Sequence, residues 1–233
     1  IAAVAYDGST FKEVDKIDYK VNLLQVTKDV LKPGTPEREN WDSHVKPKDK
    51  LKTPQEVLKM TRYGAKTARF IKEVHAINVF FKFINKFKNP VLIAHNAPFD
   101  LKYLGVRAKM YGIKMKTYKT LDTLELNKMY FIPLLKSVEG SGELDLILKS
   151  LSTYTTTGKR KVSSTLGNLS TAMSIDVKGW HNALADVDML MKVLAKMVGM
   201  FKKYQDVDIS DLHRKEVLRV AKSQHKRKHT PKK

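Results

Sequence analysis

The stretch that most limits what this chain can become is Val91 to Leu104, VLIAHNAPFDLKYL. Val91, Leu92, Ile93 and Ala94 form an apolar run too short for a typical helix and bounded by Asn89-Pro90, the pattern of a strand buried on both faces. His95 and Asn96 mark its exit. From Phe99 the period changes: Leu101, Leu104, Ala108 and Tyr111 recur at helical spacing, which puts Asp100 in a first helical turn. Asp100 then stands just beyond a strand's carboxyl end, where open α/β sheets bind ligands. A carboxylate there also suits the helix dipole, and by itself it needs no function.

Charge narrows the partners. A formal net charge of +20, from 44 Lys and Arg against 24 Asp and Glu, exceeds what solubility requires and points to a polyanion, most simply nucleic acid. Lys greatly outnumbers Arg, which favours contact with phosphates over bidentate reading of bases. An anionic membrane surface would attract the same charge, but no run approaches the roughly 18 apolar residues of a span. No signal-peptide pattern opens the sequence. Without cysteine there is neither a disulfide framework nor a thiolate zinc site. The expected setting is intracellular: cytoplasm, nucleoid or nucleus.

Along the chain, Ile1 to Tyr6 predicts a fully buried strand and Asp7-Gly8-Ser9-Thr10 a turn. Ile17, Tyr19 and Val21, alternating with polar residues, predict a half-exposed second strand that completes a hairpin. Residues 27 to 52, with three prolines and Lys46, Lys48, Lys50 and Lys52, form a surface connection. Thr53-Pro54-Gln55-Glu56 supplies a capping box for a helix running to about Tyr63. A second helix carries Phe70, Val74, Ile77, Phe81 and Ile84 on one face, with His75 given no role. Met115 to Leu121 predicts a strand, after which Asp122 caps a helix beginning TLEL. Residues 139 to 164, rich in Gly, Ser and Thr, read as an elaboration whose Lys159, Arg160 and Lys161 are candidate phosphate contacts. Leu166, Leu169, Ala172 and Met173 make a short amphipathic helix, and from Ser210 another helix gives way to a basic tail, SQHKRKHTPKK, suited to nonspecific grip on nucleic acid.

The second informative stretch is Gly179 to Phe201, where Val187, Leu190, Met191, Leu194, Val198 and Phe201 give a strongly periodic helix. His181 and Asp186 are five residues apart, which on one continuous helix would set them about 140° apart. They can converge only if His181 precedes the helix, as Gly179 and Trp180 favour.

The pair HNAPFD and, about 80 residues later, HNALAD resembles the second and third motifs of the DnaQ-like DEDDh 3′-to-5′ exonucleases, His-Asn-x-x-Phe-Asp and His-x-x-x-x-Asp; Asp122-Thr123 matches a further habit of that family. The resemblance implies an α/β, ribonuclease H-like mixed sheet flanked by helices over residues 1 to 205, with insertions near 40 to 75 and 139 to 164, followed by a basic C-terminal helix and tail over 206 to 233. It implies Asp100 and Asp186 as ligands of a two-metal Mg²⁺ or Mn²⁺ site and His181 as general base. Asn96 would support the substrate, while His95 and Phe99 shape and pack the turn. That chemistry suits hard oxygen ligands and a neutral imidazole. The implied activity is hydrolysis at the 3′ end of single-stranded nucleic acid, DNA favoured over RNA, with a polymerase or other replication or repair machinery as partner. A catalytically silent binding module on the same fold and an RNA-processing exoribonuclease are the alternatives.

One departure stands out. The family's first motif, Asp-x-Glu on the first strand, has no counterpart in Ile1 to Tyr6, and Glu143-Leu-Asp145 and Asp206-Val-Asp208 have neither its order nor its place; surface charge accounts for them. Because that strand lies at the centre of the family's sheet, its loss would leave buried backbone groups unpaired, so the expectation is a parent protein with roughly 10 to 20 residues ahead of Ile1.

Overall fold

The computed structural model of the protein describes residues 1–21, 70–140, 142–178 and 182–229. The surface connection, the Thr53 helix, the lysines between 46 and 52, and Gly179, Trp180 and His181 lie outside the described residues. Mixed α/β structure is present as expected, and among the described residues the strands associate two by two. The chain divides into two compact units: residues 1–92, 98–119 and 179–187 in the first, and 93–97, 120–178 and 188–233 in the second.

In the first unit, β1 (Ala2–Tyr6) and β2 (Glu13–Asp18) form an antiparallel hairpin, with Ala3 opposite Ile17. Mutual backbone hydrogen bonds between Ile1 and Tyr19 extend it. Its turn is built by Asp7, whose Oδ1 accepts from the Ser9 and Thr10 backbone N–H groups at 3.1 and 2.8 Å. The Ser9 hydroxyl first, then those bonds and the Thr10 hydroxyl, hold the Asp7 carboxyl well below its ordinary range. The first strand was expected to be fully buried, but β1 is half-buried throughout; among the described residues it has one strand neighbour, which leaves its other edge less covered. Lys20–Val21 (β3) then pairs in parallel with Phe70–Ile71 (β4). Phe70 therefore lies in a strand rather than on the predicted helix, and that helix, α1, spans Glu73–Ile84.

The predicted apolar face of α1 is real: Ile77, Phe81 and Ile84 are buried and pack with Ala108, Leu92, Tyr111 and Ile113. His75 is exposed. The first turn of α1 carries a buried Glu73, held by Arg107 in an ion pair in which both side chains are about 5 % exposed. Arg107 Nε donates to Glu73 Oε1 at 2.9 Å and Tyr111 Oη donates to Oε2 at 2.8 Å. A charge so deeply buried is tolerable only when paired and hydrogen-bonded, and Glu73 is both.

The second unit has a predominantly helical core. Thr123–Leu126 (α3), a π-helical turn (Asn127–Phe131) and Ile132–Ser137 (α4) follow without a break. Phe131, Leu134 and Leu135 from this run pack with Leu144, Ile147, Leu148 and Leu151, with Leu169 of α6 (Leu166–Ala172) and Met173, and with Met189, Val193, Met197 and Met200. The four leucine and isoleucine positions belong to α5 (Gly142–Leu151), a helix within the Gly-, Ser- and Thr-rich stretch read as an elaboration. Asp145, expected to be surface charge, is buried: it accepts the Gly140 N–H at 3.0 Å and pairs with Lys149 at 2.7 Å, and these contacts, Lys149 first, hold its carboxyl below the usual range. Asp208 likewise accepts the Ser210 N–H at the start of the last helix.

Pro133 has no N–H to offer the carbonyl four residues earlier, that of Met129. Met129 O accepts from His213 Nδ1 at 2.7 Å. The helix that carries His213 runs from Ser210 to His229, so part of the predicted basic tail continues as helix. Among the described residues, no helix is long and apolar enough to cross a membrane.

Candidate active site

Val91–Ala94 (β5) leads into α2 (Ala97–Met110) through the two residues His95 and Asn96. The strand pairs with β6 (Lys119–Asp122) alone among the described residues, and Val91 is 50 % exposed, so the expectation of burial on both faces does not hold there. So abrupt a change from strand to helix requires a special backbone conformation. Asn96 supplies it with φ 78°, the left-handed region that asparagine enters more readily than other non-glycine residues.

Two neighbours hold this turn. Asp122 Oδ1 accepts the Asn96 N–H at 2.8 Å and the Leu124 N–H at 2.9 Å, so the carboxylate predicted to cap α3 does so and also braces the turn. His95 has both ring nitrogens engaged, Nε2 with the Ser164 carbonyl at 2.8 Å and Nδ1 with Thr123 Oγ1 at 3.0 Å. A carbonyl can only accept, so Nε2 carries the proton. Burial pushes the His95 pKa down, and the Thr123 hydroxyl against Nδ1 also reaches the Ala94 carbonyl at 3.3 Å. With both nitrogens occupied, His95 shapes the turn and has none left for a metal or a reacting proton. Phe99, expected to pack the turn, is instead 68 % exposed.

Asp100 lies in the first turn of α2 and is exposed. At 100° per residue, positions 100, 103, 107 and 111 fall within a stripe about 80° wide. The last three converge on Glu73, with Tyr103 Oη at 3.4 Å from Oε1. Glu73 and Arg107 therefore fix the rotation of the helix that carries Asp100. Neither residue stands out in the sequence, because the partners are 34 positions apart and belong to no local pattern.

The second acid, Asp186, is half-buried in the first turn of α7 (Ala183–Lys203). Asn182 opens that helix by accepting the Leu184 N–H at 3.1 Å, a cap that the sequence reading did not single out. Because α7 begins at Ala183, position 181 precedes it, although His181 itself is not described. Asp100 and Asp186 belong to the same compact unit, each in the first turn of a helix, where the dipole favours the charged carboxylate. Among the described residues no group of three or more histidines and acids is gathered for a metal.

Lys159, Arg160 and Lys161 are placed by a hairpin in the second unit, β7 (Ser152–Tyr154) against β8 (Arg160–Val162). Gly158, at φ 76°, helps turn its tip, where Thr155 N–H donates to Lys159 O. Lys159 and Lys161 are exposed, whereas Arg160 is committed to Glu139 and to Ser152 Oγ, the latter at 2.8 Å.

No curated protein and no solved structure matches the chain. A family model does: residues 1–132, which include β5, Asn96, Asp100 and Asp122 but not Asp186, match "DNA polymerase family B, exonuclease domain". Since that match covers more than half of the 233 residues, the chain belongs to this family of 3′-to-5′ exonuclease domains within the ribonuclease H-like superfamily.

Proposed function

We propose that the protein is a metal-dependent nuclease that removes nucleotides from the 3′ end of single-stranded nucleic acid, with DNA preferred because the matched family is that of DNA polymerases. The observation that carries this proposal is the position of Asp100. Its carboxylate stands in the first turn of the helix after β5, inside the family match and in the same unit as Asp186.

Two carboxylates suit Mg²⁺ or Mn²⁺, hard cations that Mg²⁺ sites commonly bind through one or two acids, with water and substrate phosphate completing the shell. Asp100 and Asp186 would hold the metal, which when bound supplies an activated water and neutralises charge on the leaving oxygen. His181, ahead of α7, would accept the water's proton. Asn96 would serve by setting the direction in which α2 leaves the strand, and exposed Phe99 offers a face beside Asp100 on which a terminal base can stack. Lys159 and Lys161 would add phosphate contacts, and the net charge of +20 would draw the strand in. A polymerase or other replication or repair assembly is the partner that the family favours.

The test uses 5′-labelled DNA and RNA oligonucleotides with Mg²⁺ or Mn²⁺ and a chelator control. A chelator-sensitive ladder that shortens from the 3′ end is expected, faster on DNA. Asp100→Ala or Asp186→Ala should slow it by at least about 100-fold, more than the loss of a supporting partner costs. Faster shortening of RNA would point to an exoribonuclease. Binding without shortening, also when an Asp-x-Glu segment is supplied ahead of Ile1, would point instead to a binding module on this fold.

A further inference from the structure

Nothing in the proposed nuclease chemistry uses the junction between the π-helical turn and the last helix, both in the second unit. There Tyr130 is stacked on His213, with ring centroids 4.7 Å apart and planes 26° apart, and yet Tyr130 remains 45 % exposed. The histidine cannot swing away freely, because its Nδ1 donates to the Met129 carbonyl. One face of Tyr130 is thus backed by a fixed ring and the phenol stays open to solvent.

The surroundings are cationic. Lys128 on the π-helical turn, Lys136 on α4 and Arg214 beside the stacked histidine are set against Glu216, which Arg219 already pairs. Lys136 and Lys128 lie close enough to add to the effect of Arg219 in holding the Glu216 carboxyl below its usual range. A braced, exposed aromatic beside cations that form no close ion pair among the described residues fits a single strand, with the ring taking a base and the cations taking phosphates.

We propose that Tyr130, backed by His213 and flanked by Lys128, Lys136 and Arg214, is an auxiliary platform on which single-stranded nucleic acid docks by base stacking. The proposal extends the nuclease reading by giving the strand a second contact, distinct from the acids.

Fluorescence anisotropy of the full chain with a 5′-labelled oligothymidylate, in chelator, tests it. Tyr130→Ala should weaken binding about tenfold, Tyr130→Leu, which keeps apolar bulk against His213, should weaken it similarly, and Tyr130→Phe should bind as wild type. On an abasic oligonucleotide the Tyr130 variants should match wild type. The Lys128→Ala, Lys136→Ala pair should weaken both ligands and reduce the salt slope by about one to two. Unchanged binding by Tyr130→Ala and Tyr130→Leu, equal losses on the abasic strand, or loss in Tyr130→Phe would each overturn the platform. The two readings fail separately. Tyr130-dependent binding without shortening in Mg²⁺, also with an Asp-x-Glu segment supplied ahead of Ile1, would sink the nuclease and spare the platform; shortening with Tyr130-independent binding would do the reverse.

Discussion

The two helices that begin with the candidate acids are anchored by opposite means. Along α7 the buried positions are apolar, Met189, Leu190, Met191, Val193, Leu194, Met197 and Met200. On α2 the only apolar residues that reach full burial are Ala97 and Ala108, and the deepest large side chain is Arg107, locked to Glu73. Methionine-rich packing is adaptable in shape and indifferent to small rotations. A guanidinium held by a carboxylate that two tyrosines also grip has defined directions and tolerates little rotation. The contrast suggests that the bearing of Asp100 is set by hydrogen-bond geometry, whereas α7 is held by fit.

If so, the two anchors should fail differently. Glu73→Ala strands a buried guanidinium and should cost about 3–5 kcal/mol in urea denaturation, while Glu73→Leu combined with Arg107→Met should recover most of it. A double variant as unstable as the single one would show that the pair does more than neutralise itself. Met197→Ala should cost about 2–5 kcal/mol and Met197→Leu less than about 1.5 kcal/mol, because only volume is at stake there. The smallest effect concerns the turn before α2. The folded pKa of His95 lies below its ordinary value, so between the two the unfolded chain binds more protons than the folded one. Stability from this group is therefore complete above about pH 6.5 and declines as the pH falls toward the folded pKa. Denaturation midpoints between pH 7.5 and 5 should fall in the wild type and flatten in His95→Gln.

What the sequence reveals and what it hides follow one physical line. The β5 strand, the start of α2, the Asp122 cap and the face of α7 are legible because each rests on neighbours a few residues away. The Glu73–Arg107 pair, the clasp of His95 on Ser164 and the bond from His213 to Met129 join residues 34, 69 and 84 positions apart, and nothing local announces them. α5 is a different case. Leu144, Ile147, Leu148 and Leu151 stand at i, i+3, i+4 and i+7, a plain helical period that the surrounding Gly, Ser and Thr content outweighed in the sequence reading. Burial of Asp145 went unread with it, although its partners Gly140 and Lys149 are local. The placement of Asp100 and Asp186 in first helical turns was legible, and the Glu73–Arg107 pair that sets the rotation of α2 was not.

The left-handed backbone at Asn96 bears on which sequences could replace this one. A position kept for its side-chain chemistry admits chemical mimics; a position kept for backbone shape admits residues that share the shape. Glycine, which has nothing of asparagine's amide, is the conservative neighbour at 96, and glutamine, which has all of it, is the radical one. Among relatives of this chain, similarity at that position is better measured by torsion angle than by functional group.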